Sequence, residues 1–169
     1  VEGFTFYAGF AFTAYHLHEA LGLSVTASGF VVSLFAIGGM SYAVVSGRLV
    51  PRLGEPGLVL WGGTALVAGC ALLAIAQGVA VAVLGVVGLG IGFYMLHNTF
   101  QVQVTEVAPE ARASAVALHA FSFFCGQALG VAVLGAGLAA FGQLPALAVC
   151  AAAILVLGLA TARRLARPG

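Results

Sequence analysis

Two histidines, His97 and His119, are the residues of this sequence best placed to do chemistry. Each lies about seven or eight residues, on the order of 10 Å, inside an apolar helical run, so the two would share a depth on neighbouring helices. Imidazole changes charge near pH 6.5. In a wet cavity it takes up and releases a proton in the physiological range; otherwise it donates to a backbone carbonyl or a Ser hydroxyl and only locks packing. Tyr94, His97 and Gln101 follow at steps of three and four, which places them on one stripe, with Asn98 beside them. His119 shares a second stripe with Ser122, Gly126 and Gly130. Asn98, Gln101, Tyr94 and Gln127 offer hydrogen bonds to a solute, and Tyr7, Tyr15, Phe121 and Phe123 offer rings to an apolar or aromatic one. Glu19, with His16 and His18, marks the far end of the first apolar segment, where a carboxylate beside imidazoles relays protons or simply meets water. Cys70, Cys125 and Cys150 sit in separate apolar runs without metal-ligand spacing and read as small core residues. No metal site and no cofactor is expected.

Those side chains belong to 169 residues of which 62% are hydrophobic and 7% charged, with a mean hydropathy of +1.14. A soluble globular domain carries about 25% charged residues. Water solubility is excluded, and at about 20 residues per crossing the length holds roughly six transmembrane helices and no soluble catalytic domain. A net charge of +1 with no basic stripe argues against nucleic-acid binding. The segment opening on Val1 has no basic leader or small-residue cleavage site, so no signal peptide is expected; the missing initiator Met suggests upstream sequence.

Charges act as a ruler, because one near the bilayer centre costs about 2.5–3.5 kcal/mol. Apart from Glu2 and Glu19 they fall in three knots: Arg48, Arg52 and Glu55; Glu106, Glu110 and Arg112; Arg163, Arg164 and Arg167. Between the knots lie two charge-free stretches, Pro56 to Thr105 and Ala113 to Ala162. Each is too long for one crossing and reads as a hairpin, turning at Gln77-Gly78 and at Gly142-Gln143-Leu144-Pro145, while Leu21-Gly22-Leu23-Ser24 turns the first pair. Helices are expected near 3–21, 25–47, 57–76, 79–104, 112–140 and 145–162. The fold class is an all-α membrane protein, one six-helix domain over 1–169. All six Arg fall on one side, which the positive-inside rule makes cytoplasmic, with both ends of the chain there.

Polar residues inside a bilayer turn toward a bundle interior or a wet cavity. They concentrate on the first, second, fourth and fifth helices, the second through Ser33, Ser41, Tyr42 and Ser46; the third and sixth read as lipid-facing walls. The order polar, polar, apolar occurs twice, which suggests two inverted three-helix repeats as in secondary transporters. Glycines, including Gly38-Gly39, Gly88-Leu89-Gly90-Ile91-Gly92 and Gly126-x-x-x-Gly130, supply close helix packing.

The loop after the second helix reads Gly47-Arg48-Leu49-Val50-Pro51-Arg52-Leu53-Gly54-Glu55-Pro56. It resembles the cytoplasmic loop motif of the major facilitator superfamily at Gly47, Leu49, Arg52, Leu53 and Gly54; Pro51 stands at the acidic position, and Glu55-Pro56 replaces the basic tail. Tyr15–Ser24 and Glu106–Ala115 resemble further stretches of that family's second half. Gly126-Gln127-Ala128-Leu129-Gly130 looks most like its drug- and sugar-efflux members, which exchange solute against protons. The resemblance implies the C-terminal six-helix half of a twelve-helix transporter, whose partner is an N-terminal half of the same kind. It also implies small-molecule efflux by alternating access, driven by protons, and a cavity lined by helices one, two, four and five.

An Arg-only basic set with abundant Ala, Gly and Val hints at a GC-rich bacterium, hence a bacterial cytoplasmic membrane. No ATP-binding loop is present, and no enzymatic activity is expected. Two other readings stay open: a self-standing six-helix protein that dimerises into a transporter or channel, and an intramembrane hydrolase using Ser122 with His119.

Overall fold

The structure is a computed structural model that describes residues 1–166, with the backbone alone at 143, 144, 146 and 147. Arg167, counted above among the rim charges, lies outside the described residues. The chain is helical throughout: α1 (Glu2–Ala11), α2 (Thr13–Leu21), α3 (Val25–Ser33), α4 (Phe35–Ala74), α5 (Val79–Val107), a 3₁₀ turn at Pro109–Ala111, α6 (Arg112–Phe141) and α7 (Gln143–Leu165). Among the described residues, four helical stretches are long and apolar enough to cross a membrane: Val25–Ala74, Val79–Val107, Pro109–Phe141 and Ala148–Leu165.

Local chemistry sets the breaks. Gly22 adopts the left-handed conformation that closes α2, and the Ser24 hydroxyl accepts from the Ala27 amide to start α3. α1 passes into α2 through Phe12, and α3 into α4 through Leu34, each a tightening of the backbone rather than a turn. Inside α4, Gly54 takes φ 60° and ψ 177°, a region that side chains avoid, and divides the stretch into arms 35–53 and 55–74. A straight helix over Val25–Ala74 would run about 75 Å against a hydrocarbon core of about 30 Å. The expected loop at 47–56 is therefore narrower than its sequence suggested: helix persists through Pro51 and Arg52, and Gly54 alone leaves it. At the last turn, Gly142 with φ 83° is the break and Gln143 already begins α7.

Glycine dictates the packing. α5 lies in a groove formed by both arms of α4: a Cβ on Gly38 would run into the Val87 carbonyl, one on Gly90 into Phe35, and one on Gly92 into Gly62. The 55–74 arm presses its Gly63 against Gly158 of α7. α1 lies against α6, where Cβ atoms on Gly3 and Gly130 would strike the Phe123 and Phe4 carbonyls. Without a hydrophobic drive between helices in lipid, such approaches supply the dispersion energy that holds a bundle. Between these contacts sits one apolar core of Phe6, Leu17, Val59, Leu66, Val86, Phe93 and Leu96.

The third expected helix, read from sequence as a lipid-facing wall, has two unlike faces. The 55–74 arm buries Leu58, Val59, Leu66 and Leu73, while Leu60 and Trp61 face outward. More exposed are Phe30, Ile37, Met40 and Val44 on α3 and the first arm of α4, and Leu118, Phe121, Phe124 and Leu129 on α6. Ser33, Ser41 and Ser46 return their hydroxyls to the carbonyls of Phe30, Ile37 and Ala43. Their polarity is thus satisfied within the helix.

Gly38→Ala should cost about 1–3 kcal/mol by overpacking the α4–α5 groove, read as a lower thermal-unfolding midpoint in detergent. Gly137→Ala, whose Cβ meets nothing within 4 Å, should leave the midpoint unchanged or slightly higher.

Candidate functional site

The site is built where α1, α5 and α6 meet. Because Gly3 lets the first turn of α1 lie on the α6 backbone at Phe123, the preceding residue, Glu2, is drawn into the bundle and is 8% exposed. A carboxylate in the first turn also suits the positive end of the helix dipole. Across from it, His97 of α5 stacks on Phe93 one turn earlier, with centroids 4.9 Å apart and planes at 13°, and packs against Phe123 of α6 at 5.0 Å. Its Nδ1 lies 3.0 Å from Glu2 Oε1 and its Nε2 lies 3.0 Å from Gln101 Nε2. The amide nitrogen only donates, so Nε2 accepts, the ring proton sits on Nδ1, and Nδ1–H donates to the carboxylate. Turned by half a rotation, the same amide would offer its oxygen to Nε2–H.

His119 of α6 stands 6.0 Å from His97, ring centre to ring centre. Among the described residues its Nε2 is buried without a hydrogen-bond partner, and so is Glu2 Oε2. Glu2, His97 and His119 each offer a donor atom within 4.8 Å of the others, the geometry of a set able to hold a metal ion. Tyr7 closes the aromatic wall, edge-on to Phe93 and Phe123. The cluster borders an open cavity of about 430 Å³ whose lining includes Glu2, Gln103, His119, Ser122, Phe123 and Arg164.

The expected residues therefore divide. Tyr7, His97, Gln101 and His119 come together, and Ser122 joins them on the cavity wall. Tyr94 packs its ring across Gly39 and beside Phe35 and Phe93. Asn98 and Gln127 are half-buried and make no side-chain hydrogen bond among the described residues. Tyr15 and Glu19 are exposed and line a separate groove with Phe12, Gly135 and Gly142. Neither His16 nor His18 meets Glu19: His16 Nε2 lies 3.0 Å from the Leu73 carbonyl inside the core, and His18 Nδ1 contacts the Leu23 carbonyl at the end of α2. Phe121 points away from the cluster and is exposed, unlike Phe123. Ser122 makes no bond to His119 among the described residues, so the pair needed for a hydrolase is not assembled.

In the loop motif, Leu49 and Leu53 pack on a cluster of Tyr42, Leu58 and Met95, while Gly47, Arg52 and Gly54 are exposed. Just beyond Gly54, Glu55 accepts a 2.6 Å bond from Gln103, fastening the bend to the end of α5. Glu2 and this Glu55–Gln103 tie were not singled out from sequence. The available signal was a carboxylate followed by glycine and an aromatic run, Glu2-Gly3-Phe4-Thr5-Phe6-Tyr7; a charge at a helix end was read as a rim marker instead.

An all-helical bundle of long apolar helices, with its described arginines exposed and a Glu2–His97 pair inside, defines a multi-pass membrane protein. A family model described as Major Facilitator Superfamily matches residues 2–169. The chain belongs to that superfamily, whose members are membrane transporters of small-molecule solutes. No curated protein and no solved structure matches it.

A double-mutant cycle of Glu2→Gln with His97→Gln should give a coupling of about 1.5–3 kcal/mol, as for buried hydrogen bonds to a charged group, measured from detergent unfolding midpoints.

Proposed function

We propose that the chain is the C-terminal half of a secondary transporter that exports a small molecule by alternating access in exchange for protons. In this reading Glu2–Leu21, 25–53, 55–74, Val79–Val107, Arg112–Phe141 and Gln143–Leu165 are six crossings in two inverted three-helix units. An N-terminal six-helix half supplies the opposite wall of the cavity. The Arg-bearing ends face the cytoplasm of a bacterial cell.

The observation that carries the reading is the chain from buried Glu2 through half-buried His97 to exposed Gln101, beside His119 at an open cavity. A carboxylate and an imidazole in contact across helices are costly in a bilayer and mark ion and proton pathways. The neutral ring donates from Nδ1 to Glu2 and accepts from Gln101. A proton arriving at Nε2 turns the Gln101 amide, which then accepts, so the ring changes charge without orphaning a neighbour. Proton binding alters the attraction between α1 and α5, and a solute bound in the adjoining cavity acts on the same helices. That shared element couples the two.

In proteoliposomes, proton-driven accumulation should fall roughly 10–100-fold in His97→Ala, the range of a coupling of a few kcal/mol. Solute counterflow without a proton gradient should persist and lose its pH dependence. A pH profile unchanged in both His97→Ala and His119→Ala would refute the proton role.

A further inference from the structure

We propose that Glu2, His97 and His119 also form a binding site for a divalent transition-metal ion of the zinc class. One carboxylate and two imidazoles are a ligand set that zinc accepts in three-residue sites, with a fourth position left to water or another donor. The three residues come from α1, α5 and α6, and their donor atoms lie within 4.8 Å of one another. Tetrahedral coordination at about 2.0–2.2 Å asks for donors about 3.3 Å apart. Glu2 and His97 are already 3.0 Å apart, so small side-chain rotations of His119 and Glu2 complete the set.

Two orphaned atoms point to a ligand. Glu2 Oε2 and His119 Nε2 are both buried and unpartnered among the described residues, a state that costs free energy unless something positive satisfies both lone pairs. A cation does so at once. The second shell fits as well: with metal on His97 Nδ1, the ring proton moves to Nε2, and the Gln101 amide turns to accept it. Phe93, Phe123 and Tyr7 wall the site on its apolar side. The cavity lined by Glu2, His119 and Ser122 gives entry to the site. The charged groups of that cavity are Glu2 and Arg164, the latter exposed on α7.

The metal occupies the place of the His97 Nδ1 proton and ties three helices together. Metal and proton exchange therefore exclude each other, and a bound ion arrests transport; this regulatory consequence rests on the transport reading above, while the binding does not.

The test is titration of the full-length protein in lipid nanodiscs with Co²⁺, a spectroscopic stand-in for Zn²⁺. One equivalent should give the visible d–d absorption of a four-coordinate site, abolished by Zn²⁺ and not by Mg²⁺. Glu2→Gln and His119→Ala should each weaken binding by at least about tenfold. His119→Cys guards against a variant that fails to fold: it should retain the ion and add a thiolate-to-cobalt charge-transfer band, which only ligation at this position produces. Absence of the d–d band in the unsubstituted protein, or equal affinity in the Glu2→Gln/His119→Ala double variant, overturns the site. No cobalt band together with a lost pH response in His97→Ala overturns the metal and leaves proton coupling standing. Counterflow unaffected by saturating Zn²⁺ overturns the regulatory role.

Discussion

The contact between the Glu2 carboxylate and the His97 imidazole constrains the rest of the bundle. A carboxylate that is 8% exposed amid apolar helices has no water to turn to, and its desolvation is tolerable only with a donor in place. That donor is on α5, and the residue after Glu2 must be glycine for α1 to approach α6 closely enough to reach it. The aromatic rings of Phe93 and Phe123, which hold His97 from two sides, follow from the same requirement: a ring that must present Nδ1 to one helix and Nε2 to Gln101 has to be held in plane.

Around this contact the helices form two glycine-joined groups. α1 and α6 meet through Gly3, Gly126 and Gly130, and α5 is sunk between the arms of α4 through Gly38, Gly62, Gly69, Gly85, Gly90 and Gly92. α5 and α6 touch far less than the partners within each group. The Glu2–His97 bond and the His97–Phe123 contact span the seam between the groups. A change in the charge of one ring therefore acts where packing is thinner than within either group, whereas the same change inside the α4–α5 groove would be resisted by backbone in contact with backbone.

Much of this architecture was legible in the chain because in a bilayer charge and glycine have few uses. The turns at Gly22-Leu23-Ser24 and Gln77-Gly78 and the break at Gly142 stand where helix-breaking residues interrupt apolar runs. His97, Gln101 and His119 were legible as neighbours because their spacing fixes stripe and depth. Glu2 was not, since a one-dimensional ruler cannot tell a carboxylate at a helix end that meets water from one that a neighbouring glycine pulls inward. The serines of the second helix misled for a related reason: a hydroxyl that closes on its own carbonyl is polar in composition and apolar in effect. Tyr15 and Glu19 fell to the other end of the bundle because residue type says what a group can do and nothing about which neighbours share its depth.

The bend at Gly54 completes the physical account. Its departure from the helix motif's usual loop replaces a basic tail with Glu55-Pro56, and the carboxylate gained there accepts from Gln103 at the end of α5. Gln103 lines the same cavity as Glu2 and His119, and Gln101, two residues earlier on α5, holds His97. One short stretch of α5 thus has its backbone fixed from both directions, by the bend on one side and by the buried pair on the other. Displacing that stretch strains two polar contacts together.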